Sequence, residues 1–294
     1  MNQAVAQKEP VTKEKQGGFK GFGFENDLFW MLKEDYHWPS VESRVGIYDA
    51  IDNKPGEIDI IARREINVSY DSKIFPVELT LIIEAKKTDT YRWIFMRGMD
   101  DMDRQIKHVG QWFFPFGSGY DDNPLRMSPE FARQRYKEKE ASQSFFTQLL
   151  KKIGVEQSHA EINLDANDCQ KDRHPNSDTK KIDRDYGDHH IYRAINSAIA
   201  AAFYLKKVHG NDARHGIILP IVVADTTHME YWRLERRKNL ESKRTKRKID
   251  LGVCKVKSFS TATDYKPEVA AVLVLNPVGF KKLLDTIQEI GIER

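Results

Sequence analysis

The sequence is poor in cysteine and contains no long apolar segment. Its two cysteines, Cys169 and Cys254, have no spacing that suggests a disulfide framework, which is typical of a reducing compartment. No apolar run approaches the roughly 20 residues that a membrane-spanning helix needs. The N-terminus is polar rather than signal-like. We therefore predict a cytoplasmic protein that does not associate with a membrane.

Charge of neither sign predominates. The 47 lysine and arginine residues nearly balance the 44 aspartate and glutamate residues, which leaves a formal net charge of +3. Any binding of nucleic acid must therefore depend on local basic clusters rather than on the overall field of the protein. The sequence also has no GxxxxGK[ST] phosphate-binding loop, so an ATP-driven motor would have to be a separate partner.

The composition predicts a short tail and one large domain. Residues 1–20 are polar and contain several lysines, which is typical of a flexible tail. Residues 21–294 are predicted to form a single α/β domain, since a chain of this length can bury a full core. Within it we distinguish a core region at 22–113, a helical and loop insertion at about 117–187, and a C-terminal helix with strands at 188–294.

Hydrophobic periodicity predicts alternating strands and helices. The strands are predicted at Glu42–Ala50, Glu57–Ala62, Val77–Lys86, Gly216–Asp225, Met229–Leu234, Gly252–Ser260 and Ala270–Asn276. The helices are predicted at Phe24–Lys33, 99–113, Pro129–Ala141, Ser144–Ile153, Asp188–Val208 and Val278–Gly291, with a polar loop at 88–93. This order predicts a central mixed β-sheet that is flanked by helices on both faces.

Two of these strands carry charged residues where apolar ones are expected. Asp59 lies among isoleucines, and the second strand ends in Glu84-Ala85-Lys86. Strand residues two apart share a face, so Glu84 and Lys86 point the same way. Since unpaired buried charge is costly, these groups should compensate one another or bind a cation. The alternative is an exposed Glu–Lys pair near a strand end, with Asp59 in a turn.

The chemistry of these three residues suits hydrolysis of a phosphodiester. Two carboxylates that reach one point make a hard oxygen site for Mg²⁺ or Mn²⁺. Such an ion can polarise a phosphodiester and lower the pKa of a bound water. Lys86 could orient or deprotonate that water, or neutralise charge in the transition state.

An Asp in one strand and a Glu-x-Lys at the end of the next resemble the PD-(D/E)xK nuclease superfamily, with Ile58 where that motif has its nominal proline. The resemblance covers about residues 22–113 and implies a restriction-endonuclease-like fold. It also implies that Asp59, Glu84 and the main-chain carbonyl of Ala85 bind the metal, with Lys86 as a catalytic residue.

The resemblance implies two supporting catalytic residues. Glu25 lies on the same helical side as Leu28 and Leu32, and members of the superfamily have a glutamate on this helix that faces the metal. The alternative is an acid in the first helical turn. Gln105 interrupts the apolar stripe of the helix after the lysine strand and could point back to the site, with Gln111 as a weaker rival. The alternative for Gln105 is an amide at the edge of the core.

A densely basic stretch near the C-terminus predicts a phosphate-binding surface. The stretch Arg236–Lys248 reads RRKNLESKRTKRK and is predicted to be an exposed loop or mobile arm. Such charge binds phosphate backbones without regard to sequence. The alternative is a merely solvated hairpin tip. The candidate nucleic-acid-binding residues are Arg236, Arg237, Lys238, Lys243, Arg244, Lys246, Arg247 and Lys248.

Together these features predict a metal-dependent endonuclease that hydrolyses DNA, with Mg²⁺ or Mn²⁺ as cofactor. Among activities of the resembled superfamily, a restriction or defence role suits a chain without ATPase motifs. Symmetric cutting of both strands would need two active sites, which a homodimer would provide. One alternative is a non-catalytic nucleic-acid-binding protein on a nuclease scaffold. The other is a nuclease that is specific for RNA or for branched structures.

Overall fold

The computed structural model describes residues 20–49, 54–87, 91–97, 114–116, 129–154, 172–173, 190–209, 216–225, 229–236, 242–257 and 269–291. Its helices are α1 (Lys20–Trp30), α2 (Pro129–Ile153), α3 (His190–His209) and α4 (Pro277–Ile290), and a π-helical turn at Met31–Asp35 follows α1. Its strands are β1 (Ser40–Asp49), β2 (Lys54–Tyr70), β3 (Lys73–Lys87), β4 (Tyr91–Arg97), β5 (Phe114–Phe116), β6 (Asp172–Arg173), β7 (Gly216–Asp225), β8 (Met229–Arg236), β9 (Ser242–Lys248), β10 (Leu251–Lys257) and β11 (Val269–Leu275).

The main sheet is mixed, as predicted. Its strands follow the order β1-β2-β3-β7-β11-β10, and the short β5 also pairs with β7. The β1–β2–β3 meander is antiparallel, β3–β7 and β7–β11 are parallel, and β11–β10 is antiparallel again. The prediction of an α/β protein with a central mixed sheet is therefore confirmed.

Helices cover both faces of this sheet. On one face, Leu28, Phe145 and Phe280 from α1, α2 and α4 pack on apolar side chains of the strands. On the other face, α3 packs through its alanines and isoleucines against residues such as Ile82 and Val222. Alanine favours the helix and lets it lie close to the sheet. Along β3, successive side chains therefore alternate between the two cores.

The β2–β3 hairpin is longer than the sequence predicts. The connection expected between the two acid-bearing strands is itself strand, and Tyr70 pairs with Lys73 across a two-residue turn. Asp71 and Ser72 form that turn with φ of 50° and 58°, the left-handed conformation that a tight antiparallel hairpin requires. Apolar residues at Ile66, Val68, Phe75 and Val77 bury one face of this extension.

A second sheet contains the basic stretch, and two predictions are wrong here. This sheet has the order β6-β4-β8-β9. The polar loop expected at Tyr91–Trp93 is the start of β4. The basic stretch is not a loop or mobile arm where it is described, because Arg236 ends β8 and Ser242–Lys248 forms β9. Antiparallel pairing with β8 outweighs the low strand preference of lysine and arginine, and β9 lies at the sheet edge, where charged strands are common.

Two helices also differ from expectation. The helices predicted at Pro129–Ala141 and Ser144–Ile153 are one continuous α2. Helix α1 begins at Lys20, earlier than expected, so that Glu25 lies in its second turn. The helix predicted at 99–113 and most of the predicted tail lie outside the described residues. None of the described helices is long and apolar enough to span a membrane.

The N-terminus of α4 is held against Asp250, which lies between β9 and β10. Asn276 is the N-cap, and its side-chain oxygen accepts a hydrogen bond from the Gly279 amide at 2.8 Å. Its side-chain nitrogen donates to Asp250 at 2.7 Å. A Cβ atom on Gly279 would lie 2.0 Å from the Asp250 carbonyl oxygen, so only glycine allows this close approach.

Candidate active site

Strands β2 and β3 separate at the position of Asp59. Their ladder ends with the pair Ile60 and Ile83, one residue short of Asp59. Beyond that point the Asp59 carboxylate replaces the missing strand partner, because its Oδ2 accepts a hydrogen bond of 2.7 Å from the Ala85 amide. The alternative of Asp59 in a turn is wrong, since Asp59 lies inside β2. The site thus begins where the two strands diverge.

Lys86 lies between the two carboxylates. Its Nζ donates to Glu84 Oε2 at 2.8 Å and is 3.7 Å from Asp59 Oδ2. The Lys86 side chain is 28% exposed, whereas that of Glu84 is 4% exposed. The pair is therefore not the exposed Glu–Lys pair of the alternative interpretation. The structure brings the three predicted residues together around one ammonium group.

Ser197 is a residue of this site that the sequence interpretation missed. Its hydroxyl, on α3, donates to Glu84 Oε1 at 2.8 Å. Glu84 is on the sheet face that α3 covers. Each of its two carboxylate oxygens accepts one hydrogen bond, Oε1 from Ser197 and Oε2 from Lys86. A serine flanked by Ile195, Ala198 and Ile199 in an apolar helix is a signal that could have singled it out.

Burial sets the protonation of the site. It raises the pKa of Glu84 from 4.5 to about 7; the charge of Lys86 opposes this change and that of Asp59 adds to it. For Lys86, burial alone would lower the pKa, but the attraction of Glu84 and Asp59 outweighs burial and the pKa is raised. Lys86 is therefore a cation at neutral pH, whereas Glu84 can gain or lose a proton there.

Glu25 lies close enough to this group to interact with it electrostatically. Burial raises the pKa of Glu25 and the charge of Asp59 adds to the effect, while Arg44 and Lys86 lower it. Glu25 is half-buried on α1, which packs on the face opposite α3. The alternative of a first-turn acid is wrong because α1 begins five residues earlier, at Lys20. A carboxylate with a raised pKa is a stronger base than an ordinary one.

Arg44 is a second residue that the sequence interpretation missed. On β1, Ser43 pairs with Ile60 and Val45 with Ile58, so Arg44 and Asp59 lie at the same level of the strand pair, where the regular pairing is interrupted. The Arg44 side chain is exposed. The sequence predicted a strand here but gave no reason to single out one arginine in it.

The residues fit a hard divalent cation. The ammonium group of Lys86 already occupies a position between two carboxylates, which is the charge arrangement that a metal would exploit. The N–H and C=O of one strand residue point to the same side, so the Ala85 carbonyl faces the same gap as its amide. Within the described part of the chain, no three His, Cys, Asp or Glu side chains are grouped as a metal site. Mg²⁺ is compatible with that, since it commonly binds one or two carboxylates and several waters.

The other predicted site residues are only partly described. Arg247 and Lys248 of β9 are exposed, and the Arg247 guanidinium lies 4.9 Å from the centre of the Tyr231 ring. Lys243, Arg244 and Lys246 are placed in β9 by its pairing with β8. Predicted residues that lie outside the described ranges are Gln105, its rival Gln111, Arg237 and Lys238.

Comparison with known proteins adds no family. No protein-family model, no curated protein and no solved structure matches the chain. The resemblance to PD-(D/E)xK nucleases therefore depends on the motif and its geometry, and it stays a prediction.

Proposed function

We propose that the protein is a metal-dependent endonuclease with a restriction-endonuclease-like fold, and that DNA is its substrate. The observation that carries the proposal is the Lys86 ammonium held by Glu84 and Asp59 where β2 and β3 diverge. Two carboxylates and a lysine in contact at the carboxyl end of β3, an inner strand of the mixed sheet, are groups that metal-assisted phosphodiester hydrolysis uses.

The metal would be held by Asp59, Glu84 and the Ala85 carbonyl. When bound, Mg²⁺ or Mn²⁺ would polarise the scissile phosphate and lower the pKa of an attacking water. Lys86 has to leave Glu84 Oε2 for this oxygen to become a ligand, and its charge is then available to the phosphate. Once it has left Glu84, the Lys86 ammonium could stabilise the negative charge that develops on the phosphate. Glu25 is the better candidate to orient or accept a proton from water.

The basic strand supports a nucleic-acid substrate. Strand β9 has lysine or arginine at five of its positions, Lys243, Arg244, Lys246, Arg247 and Lys248, in a protein with almost no net charge. Alternate strand residues share a face and lie about 6.6 Å apart, so Arg244, Lys246 and Lys248 are placed on one face of β9 at a spacing that can follow a phosphate backbone. The alternative role of edge-strand charge, protection against aggregation, would not require so dense a series.

Cleavage of supercoiled plasmid DNA tests the proposal. Wild type, Lys86→Ala and Lys73→Ala are incubated with Mg²⁺, with Mn²⁺ and with EDTA. Lys73 is an exposed lysine at the other end of the same strand, so its variant controls for loss of a charge. We expect nicking or linearisation by wild type and Lys73→Ala that EDTA abolishes, and none by Lys86→Ala.

If no plasmid is cut, the enzyme could require a particular target sequence. A metal titration then tests whether the proposed site binds a metal. Calorimetry of wild type and Asp59→Asn with Mg²⁺ and Mn²⁺ should show binding that the substitution removes. Absence of metal binding that depends on Asp59 would overturn the proposal. Cleavage of an RNA transcript but not of DNA would instead show an RNA-directed enzyme.

A further inference from the structure

The backbone of β1 is irregular at one residue, Arg44. Its neighbours pair in regular antiparallel register with β2, but Arg44 has φ of 53°. A left-handed conformation is unfavourable for any residue with a Cβ atom, and it is rare inside a strand. Residues held in such conformations occur often at functional sites, where the surrounding fold imposes them.

The other positive φ angles of non-glycine residues have ordinary explanations. Among the described residues these are His37, in the connection between α1 and β1, and Asp71 and Ser72, in the β2–β3 turn. Arg44 alone lies in the middle of a strand. The glycine of this strand, Gly46, is two residues further on and does not have a positive φ. An arginine, not the available glycine, thus adopts the unfavourable conformation.

The position of this irregularity is the candidate site. The register pairs Ser43 with Ile60 and Val45 with Ile58, so Arg44 and Asp59 occupy the same level of the two strands, at the position that the regular pairing skips. The exposed side chain of Arg44 acts electrostatically on Glu25, as do Asp59 and Lys86. Arg44 is thus an exposed cation at the level of Asp59 in the β1–β2 pair.

We propose that Arg44 binds a phosphate of the substrate beside the one that is cut, an inference that rests on the proposed nuclease function. Glu25, Asp59 and Glu84 together repel a polyanion, and Lys86 is occupied by two of these three carboxylates. A guanidinium offers a planar pair of donors to phosphate and keeps its charge at every relevant pH. The left-handed backbone breaks the normal alternation of side-chain directions in β1 at the level of Asp59.

The test compares Arg44→Asn with Arg44→Lys and with Arg63→Asn. Asparagine tolerates a positive φ, so Arg44→Asn removes the guanidinium without adding strain. Lysine keeps a charge but not the planar pair of donors. Arg63 is an arginine of β2 in the same pair of strands, where it forms an ion pair with Glu42, and it controls for loss of charge on this sheet. The measurements are thermal unfolding, affinity for a fluorescein-labelled DNA duplex in EDTA at several salt concentrations, and cleavage of the same duplex in Mg²⁺.

We expect Arg44→Asn to bind the duplex about tenfold more weakly, with a salt-dependence slope that is smaller by about one, and to unfold at the wild-type temperature or above it. Arg44→Lys should keep the slope and lose part of the affinity. Arg63→Asn should behave as wild type. Unchanged affinity and slope in Arg44→Asn, or a lower unfolding temperature, would overturn the inference, because the second result would show a structural role.

The same measurements separate this inference from the proposed function. If Lys86→Ala cuts DNA as well as wild type, the proposed chemistry fails, while weaker duplex binding by Arg44→Asn still upholds a phosphate contact. If Lys86→Ala is inactive and Arg44→Asn binds and cuts as wild type, the inference about Arg44 alone fails. A wild-type protein that does not bind the duplex overturns the inference about Arg44 as well.

Discussion

Replacing Glu84 by glutamine should stabilise the metal-free protein at pH 8 and abolish metal binding. Glu84 is 3% exposed, and burial raises its pKa from 4.5 to about 7 although the charge of Lys86 opposes this change. Between pH 4.5 and about pH 7 the folded state therefore binds more protons than the unfolded state. Stability must fall as pH rises through that interval, and the loss is complete above pH 7.

The size of the effect follows from the two pKa values. One pKa unit corresponds to about 1.4 kcal/mol, so the change from 4.5 to about 7 amounts to about 3 kcal/mol. Ionised Glu84 lowers the free energy of unfolding by up to this amount at pH 8. Glutamine has no charge to bury, and its side-chain oxygen can still accept a hydrogen bond from Ser197 or Lys86.

Urea unfolding in EDTA at pH 5 and pH 8 measures this difference. Glu84→Gln should gain up to about 3 kcal/mol over wild type at pH 8 and little at pH 5. Glu289→Gln is the control, since Glu289 is 65% exposed and pairs with Lys152; its effect should stay within about 0.5 kcal/mol. Excess Mg²⁺ should then stabilise wild type and the control but not Glu84→Gln.

Three results would refute this reasoning. A Glu84→Gln variant less stable than wild type at pH 8 would show that the contacts of the carboxylate outweigh its burial. An equal gain at pH 5 and pH 8 would show that ionisation is not the cause. Stabilisation of Glu84→Gln by Mg²⁺ equal to that of wild type would exclude Glu84 as a ligand.

Two further predictions concern residues that support the site and the sheet. Ser197→Ala removes the donor to Glu84 Oε1 and should weaken Mg²⁺ binding about tenfold in calorimetry. Ser197→Thr keeps the hydroxyl and should bind Mg²⁺ with nearly wild-type affinity. Equal affinities of all three proteins would contradict this role of Ser197. Gly279→Ala would place a Cβ atom 2.0 Å from the Asp250 carbonyl oxygen and should reduce the free energy of unfolding by about 3 kcal/mol or more, as urea unfolding would show. Gly23→Ala, in α1 with no atom within 4 Å of the added Cβ, is its control and should not destabilise the protein; a mild effect of Gly279→Ala would mean that the α4 N-terminus can move away.

The proximity of Asp59, Glu84 and Lys86 could be predicted from sequence because it follows from local rules. Strand alternation puts Glu84 and Lys86 on one face, and the apolar runs around them predict neighbouring strands. The contact of Glu84 with Ser197 could not be predicted in this way, since it depends on how α3 packs across the sheet. The conformation of Arg44 is also inaccessible to pattern, because no arginine in a strand-like sequence predicts a positive φ.

The basic stretch shows how pairing can override composition. Lysine and arginine at most positions of 242–248 favour an exposed loop by propensity, and the prediction followed that preference. Strand β8 is anchored by its own buried side chains, Met229 and Tyr231. Its backbone groups on one side are paired by the antiparallel strand β9. The charges remain at the sheet edge, so the prediction of a phosphate-binding surface does not depend on the loop.

The burial that makes Glu84 unfavourable in the metal-free protein also suits it to bind a cation. Its carboxylate is shielded from water and is compensated by Lys86 and Ser197. A divalent cation would offer more charge than the ammonium at the same oxygen, and its attraction would be only weakly screened at so buried a group. Metal binding should therefore release Lys86 from Glu84 at the moment when a phosphate needs a positive charge beside it. One buried carboxylate would in this way couple occupation of the metal site to the position of the lysine.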